Sequence, residues 1–274
     1  MCVIAWNWQP ASATPLLLLA NRDEFYARPS QHLHWWPDAP VLAGRDLQAG
    51  GSWLGLSRSG RLAALTNYRR PAENPAEKPT LSRGTLVVGF LQGNMDAESY
   101  LQQVAGQAGN YQPFNLLVFD GRQLLGLESR RRRVFAIAPG VSGVSNADFD
   151  TPWPKLQRLK QGLTRQLQAG VELPDLLPLL QDTRRADAAH LPDTGLALEW
   201  ERQLSAIWLA TPEYGTRASS IVQWGQDMAT FLEQTYDRQG LLGRTQQSFT
   251  PAFSGSGLIA PGYIPSGDQT VRRR

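Results

Sequence analysis

Two apolar runs near the head of the chain, residues 3–8 and 16–20, constrain the fold more than any other feature of the sequence. Both are short, dense in aromatic, β-branched or leucine side chains, and predict strands. The stretch between them, residues 9–14, carries Pro10 and Ser12 and reads as a turn. A connection that short closes an antiparallel hairpin and leaves no room for the crossover helix that parallel strands need.

The same punctuation continues along the chain. Residues 52–57 and 62–66 pair about Ser59-Gly60, and 115–119, 123–127 and 134–138 read as a meander. Helices are predicted at 83–92 behind Ser82, at 97–107 behind Asp96, at 152–168 behind Thr151 with Pro152 at the first position, and at 173–180. Leu156, Leu159 and Leu163 give the third of these one buried face. Residues 204–209, 219–224 and 230–236 read as strands, and Trp35-Trp36 lies in an extended loop from 28 to 40. Hairpins in place of alternating βα units predict an α+β fold, with helices layered on stacked antiparallel sheets. One domain is expected over 1–243, followed by a loosely ordered C-terminal tail at 244–274, rich in Gly, Ser, Pro and Gln.

Cys2 is the only cysteine among 274 residues, so an internal disulfide framework is excluded and a reducing, cytoplasmic setting is expected. No run approaches the ~20 apolar residues of a membrane span, so no integral membrane segment is expected. The formal charge is +3, and the one internal arginine cluster, at 130–133, sits between two apolar runs as a solvated hairpin turn. No nucleic-acid motif accompanies it, so nucleic acid is not an expected partner. His32 and His34 would share one strand face, like a metal pair, but no further His or Cys joins them and no metal site is expected.

Cys2 itself has two readings. It opens a buried strand and can pack there as a small hydrophobe. Its place behind the initiator methionine also allows removal of Met1, which would leave a thiol and a free α-amine on one residue. An amine of pKa ~7.7–8.0 accepts a proton near neutral pH, and activation by the terminal amine is a known route to covalent catalysis. Asn21-Arg22-Asp23-Glu24 ends the second strand, and hairpin pairing would deliver these polar groups beside the N-terminus.

Met1-Cys2, Asn21-Arg22-Asp23-Glu24, Gly51-Ser52-Trp53-Leu54-Gly55, Leu65-Thr66-Asn67-Tyr68-Arg69, Val144-Ser145-Asn146 before Thr151-Pro152-Trp153-Pro154, and Tyr214-Gly215-Thr216-Arg217 occur in that order. Together they resemble the NRDE family, also called the transport-and-Golgi-organisation family, over residues 1 to about 240. That family is similar to N-terminal-nucleophile (Ntn) hydrolases of the branch with an N-terminal Cys. The resemblance implies a four-layer αββα sandwich, two antiparallel sheets between helical layers.

By position, the resemblance makes Cys2 the nucleophile. In the acylase branch an Arg and, three residues on, an Asp end the second strand. That spacing falls here on Asn21 and Glu24, while Arg22 and Asp23 supply the same residue types one step off. Either Asp23 or Glu24 would orient the amine, and either Arg22 or Arg217 would favour the thiolate. Asn67 and Asn146 are similar to the oxyanion-hole and amine-contacting amides. The implied activity is hydrolysis of a linear amide or related acyl bond through a Cys2 thioester, with no metal or organic cofactor. The alternative is a non-catalytic carrier of haem or lipid, with Trp35, Trp36 and Trp53 lining an apolar pocket. The expected partner is accordingly a small-molecule acyl-amide, lipid or haem-like ligand.

Overall fold

Alternation along the first hairpin decides how the molecule is layered. In the computed structural model, which describes residues 2–69, 81–170 and 172–252, strands β1 (Cys2–Trp8) and β2 (Leu16–Phe25) pair antiparallel. Ile4, Trp6, Trp8, Leu16, Leu18 and Ala20 point to one side of this pair and enter the central core. Val3, Ala5, Leu17 and Leu19 point to the other side and meet a helix. Both faces are buried, which is why the two runs read as continuously apolar rather than alternating.

Strands β3 (Ser30–Trp35), β4 (Val41–Asp46), β5 (Leu54–Ser57) and β6 (Leu62–Asn67) follow. Next come helices α1 (Gly84–Gln92) and α2 (Ala97–Gly106) and the meander β7 (Phe114–Phe119), β8 (Leu124–Glu128) and β9 (Arg133–Ala136). Strand β10 (Gly140–Val144) leads into α3 (Pro154–Ala169), α4 (Leu177–Leu180) and α5 (Leu198–Gln203). Strands β11 (Tyr214–Trp224), β12 (Ala229–Asp237) and β13 (Gly240–Phe249) complete the described chain.

The strands form two antiparallel sheets, ordered β10-β1-β2-β11-β12-β13 and β3-β4-β5-β6-β7-β8-β9. Trp6, Leu18, Leu56, Leu117, Phe119 and Trp224 fill the space between them. Helices α1 and α2 bury Leu86, Val87, Phe90, Leu101 and Val104 on the outer face of the second sheet. Helices α3 and α4 bury Leu156, Leu159, Leu163, Leu177 and Leu180 on the outer face of the first. The architecture is therefore α+β, a four-layer αββα sandwich, as expected. Among the described residues no helix is long and apolar enough to cross a membrane.

Several local expectations are corrected. Residues 204–209 form no strand, because α5 runs into a turn there. Residues 30–35 are a strand rather than loop, paired with β4 across a register shift between Gln31 and His34. Helix α3 starts at Pro154, with Trp153 as an N-cap that offers no side-chain bond, whereas Asp96 caps α2 as expected by accepting from Ser99 N. Residues 244–249 belong to edge strand β13, paired with β12, and not to a tail; residues 253–274 of that expected tail lie outside the described residues.

Candidate active site

Cys2 and Arg22 are register partners across the β1–β2 ladder. Extending the alternation past Ala20 puts Arg22 and Glu24 on the inter-sheet side, with Cys2. It puts Asn21 and Asp23 on the side covered by α3. Four consecutive polar residues are thus dealt to two environments.

A cavity of about 340 Å³ opens at this end of the sandwich, lined among others by Cys2, Arg22, Asp23, Glu24, Asn67 and Arg83. Its floor comes from an unusually close backbone approach between the β4–β5 loop and the start of α1. A Cβ on Gly51 would lie 2.4 Å from the backbone carbon of Gly84, so any larger residue at 51 would push α1 away.

Arg22 lies under the cavity, its guanidinium carbon 4.4 Å above the Trp53 ring. Its Nη2 stands 3.5 Å from Asp46 and 3.8 Å from Glu24. Arg28 donates to Asp46 at 2.7 Å and lies 3.9 Å from Glu24. Asp46 also accepts from the backbone N–H groups of Gln48 and Ala49. Two arginines and two carboxylates thus hold each other in place around the thiol.

Asp23 is buried, and its Oδ1 accepts from Thr216 Oγ1 at 2.8 Å. Burial pushes its carboxyl up from the usual range, against the pull of Lys155, Thr216 and Arg22. Burial also raises the Cys2 thiol above its ordinary value, while Arg22 and Lys155 act to lower it. The expectation that cationic neighbours would depress the thiol is therefore corrected: loss of water outweighs them.

Asn67, at the end of β6, lines the cavity, and its side-chain amide has no hydrogen-bond partner among the described residues. Three other expected site residues stand elsewhere. Asn21 faces the helical layer, donating to the carbonyls of Leu180 and Ile207 at 2.8 Å and accepting from Ser219. Asn146 does not line the cavity but donates to the Asn67 carbonyl at 2.8 Å and accepts from Ser145, whose hydroxyl also reaches the Cys2 carbonyl. Arg217 sits at the register shift in β11 between Thr216 and Ala218, which turns it away from Cys2. It donates instead to the carbonyls of Phe25, Tyr26, Arg28 and Tyr236. Of these two arginines, Arg22 is the one paired with Cys2 across the ladder.

Lys155 and Arg83 escaped the sequence reading. Lys155 is only 1% exposed, and its Nζ has no hydrogen-bond partner among the described residues. Burial pulls its ammonium down to about 8, and Asp23 is the charge that most opposes this. The signal was present: Lys155 lies four residues before Leu159, on the buried stripe of α3. By sequence Arg83 is no more than the first residue of a predicted helix. It stands at the cavity wall, its guanidinium below its ordinary value through burial, with Cys2 and Glu24 opposing the shift.

The tryptophans divide differently from the apolar-pocket expectation. Trp36 is buried behind the second sheet and Trp35 packs edge-on against Phe249, while Trp53 reaches the cavity beneath Arg22.

A family model described as Transport and Golgi organisation 2 matches residues 1–238. The Transport and Golgi organization protein 2 homolog of Bos taurus is 37% identical over 86% of this chain and 93% of its own length. The human homolog is 34% identical over the same shares, 86% and 93%. Among solved structures, a mutant conjugated bile acid hydrolase from Clostridium perfringens is similar, with a TM-score of 0.49 and 10% identity over 96% of this chain and 100% of that one.

Proposed function

The chain belongs to the Transport and Golgi organisation 2 family, and from the geometry around Cys2 we propose that it is a cytoplasmic N-terminal-cysteine hydrolase cleaving a linear amide or related acyl bond. The observation that carries this reading is the convergence on one cavity of Cys2, Arg22 and Asn67, whose side-chain amide has no hydrogen-bond partner among the described residues, with Asp23 buried on the other face of the same strand. Cys2 is also the sole thiol of the sequence.

The proposal begins with loss of Met1, which frees the α-amine of Cys2. The substrate carbonyl enters beside Sγ. The α-amine takes the thiol proton as Sγ bonds to the carbonyl carbon, giving a tetrahedral oxyanion. The Asn67 amide donates to that oxygen, an interaction whose loss typically costs ~2.7–4 kcal/mol. The ammonium returns its proton to the leaving nitrogen as the C–N bond breaks, leaving a Cys2 thioester. Water then adds to the thioester, again with the amine as base, and the thiol departs with a proton while the acid is released.

The electrostatics suit this sequence of steps. A thiol raised by burial stays protonated until a base acts on it, so the amine is required and not an accessory. Asp23, buried and held by Thr216, is the carboxylate suited to orient the amine. Arg22, fixed by Asp46, Glu24 and Trp53, steadies the charge that develops on sulfur. No step calls on a metal or organic cofactor.

The carrier reading needs an apolar pocket for haem or lipid. The cavity is instead lined by Arg22, Arg28, Arg83, Glu24 and Asp46, which favours the enzyme. The test is intact mass spectrometry on wild type and Cys2→Ser after exposure to a panel of acyl amides. The expected result is a chain lacking Met1 and an acyl adduct on wild type alone. Retention of Met1, or saturable haem binding in both proteins with no adduct in either, would replace the hydrolase with the carrier.

A further inference from the structure

The cations around Cys2 are not equally committed. Arg22 and Arg28 both share Asp46 and Glu24, and their charge is matched on the spot. Arg83 has no carboxylate within ion-pair distance among the described residues. The one hydrogen bond of its side chain there is from Nη1 to the backbone carbonyl of Pro113, at 3.2 Å. That bond aims the guanidinium and leaves most of its five donors unspent. The side chain is half-buried and lines the cavity that holds the thiol. A guanidinium so placed, drawn below its ordinary value by burial, gains from any anion that displaces the remaining water.

We propose that Arg83 anchors a monoanionic group of carboxylate type on the acyl substrate, so that the site selects amides carrying a carboxylate a short distance from the scissile bond. Among the described residues that line the cavity, the charge count argues for one negative charge rather than two: Asp46 and Glu24 occupy Arg22 and Arg28, and one guanidinium remains. The planar fork of Arg83 accepts a carboxylate through two parallel N–H donors. A cavity of about 340 Å³ holds the reacting carbonyl and this group together, within the range of small-ligand sites. The orientation follows: the acyl carbonyl between Sγ of Cys2 and Asn67, and the anionic end toward α1.

This inference rests on reading Cys2 as the nucleophile, and its test uses a reagent pair that needs no hydrolysis. Iodoacetate and iodoacetamide are close in size and differ in charge, and both alkylate sulfur. Since Cys2 is the sole cysteine, intact mass reads its modification directly. In wild type the ratio of iodoacetate to iodoacetamide rates is expected to exceed that of free cysteine by about tenfold, the equivalent of ~1.4 kcal/mol. Arg83→Met should bring the ratio to the free-cysteine value with the iodoacetamide rate held within about twofold. Arg83→Lys should retain part of the preference, and a melting curve on each variant shows that the fold is kept. A wild-type ratio equal to that of free cysteine overturns the proposal. So does an Arg83→Met variant that slows both reagents equally, because Arg83 would then act on the thiol itself. A preserved charge preference with no thioester from any amide would sink hydrolysis and leave the anion anchor standing.

Discussion

Asn146 donates its side-chain amide to the backbone carbonyl of Asn67 at 2.8 Å, so a residue outside the cavity fixes one that lines it. The two asparagines, similar in their strand-end setting, carry different burdens. Asn67→Ala should leave the melting temperature nearly unchanged and suppress acylation of Cys2. Asn146→Ala empties a fully buried position and strands the half-buried Asn67 carbonyl, and should cost ~1–3 kcal/mol of stability as well as activity. Thermal melts beside an acylating probe separate them, and equal destabilisation by both changes would count against this division.

The second prediction concerns the thiol. Burial, the largest influence on Cys2, raises it. The pH midpoint for iodoacetamide labelling should lie above the ~8.5 of free cysteine. Lys155→Met removes a cation that pulls the thiol down and should move the midpoint further up. A midpoint below the free value would mean that the cations outweigh lost hydration.

Lys155 makes a stability prediction with a definite sign. Its ammonium titrates near 8 in the folded protein and at the ordinary 10.5 when unfolded. Between those values the unfolded chain binds more protons, so stability rises with pH. The benefit is full above 10.5 and is lost as pH falls through about 8. At pH 7 Lys155→Met should therefore stabilise by an amount on the order of 3 kcal/mol, the attraction to Asp23 being already contained in the depressed value. Urea melts at pH 7 and pH 10 test this, and an equal effect at both would refute it. The same change should lower activity, because Asp23 loses the Lys155 charge that pulls its carboxyl toward the ionised form.

Glu233 carries the opposite sign. It is buried in β12, and burial raises its carboxyl from 4.5 to about 7. Between those values the folded chain binds more protons, so stability is full below 4.5 and is lost as pH rises through about 7. Glu233→Gln should stabilise at pH 8, by an amount on the order of 3 kcal/mol, and change little at pH 4.5. Melts across that range should show the two curves separating only as pH rises.

Much of the layering was legible in the apolar runs, because strands buried on both faces leave an unmistakable continuous signal. The site was legible by residue type and less so by direction. Asn21, Arg22, Asp23 and Glu24 were all marked, yet strand parity sends Asn21 under the helices and Arg22 toward Cys2. Counting alternate positions from Ile4 and Ala20 would have separated them. Arg217 could not have been placed that way, because a one-residue register shift re-aims it. Arg83 carried no periodic signal at all: its meaning comes from the carboxylates that its neighbours Arg22 and Arg28 have already taken.

Cys2 belongs to one sheet and Asn67 to the other. The spacing between nucleophile and oxyanion donor is therefore a matter of how two slabs are aligned. Apolar contact resists prising them apart but offers little resistance to sliding. The register shift in β3 frees the Leu33 N–H from its ladder, and Glu233 of the facing sheet accepts it at 2.6 Å. That bond and the Arg22–Asp46 pair act as dowels driven through the greased joint of the sandwich. Remove them and the molecule stays folded, with the Ser145–Asn146 bridge from the Cys2 carbonyl to Asn67 left to resist the sliding of its two half-sites.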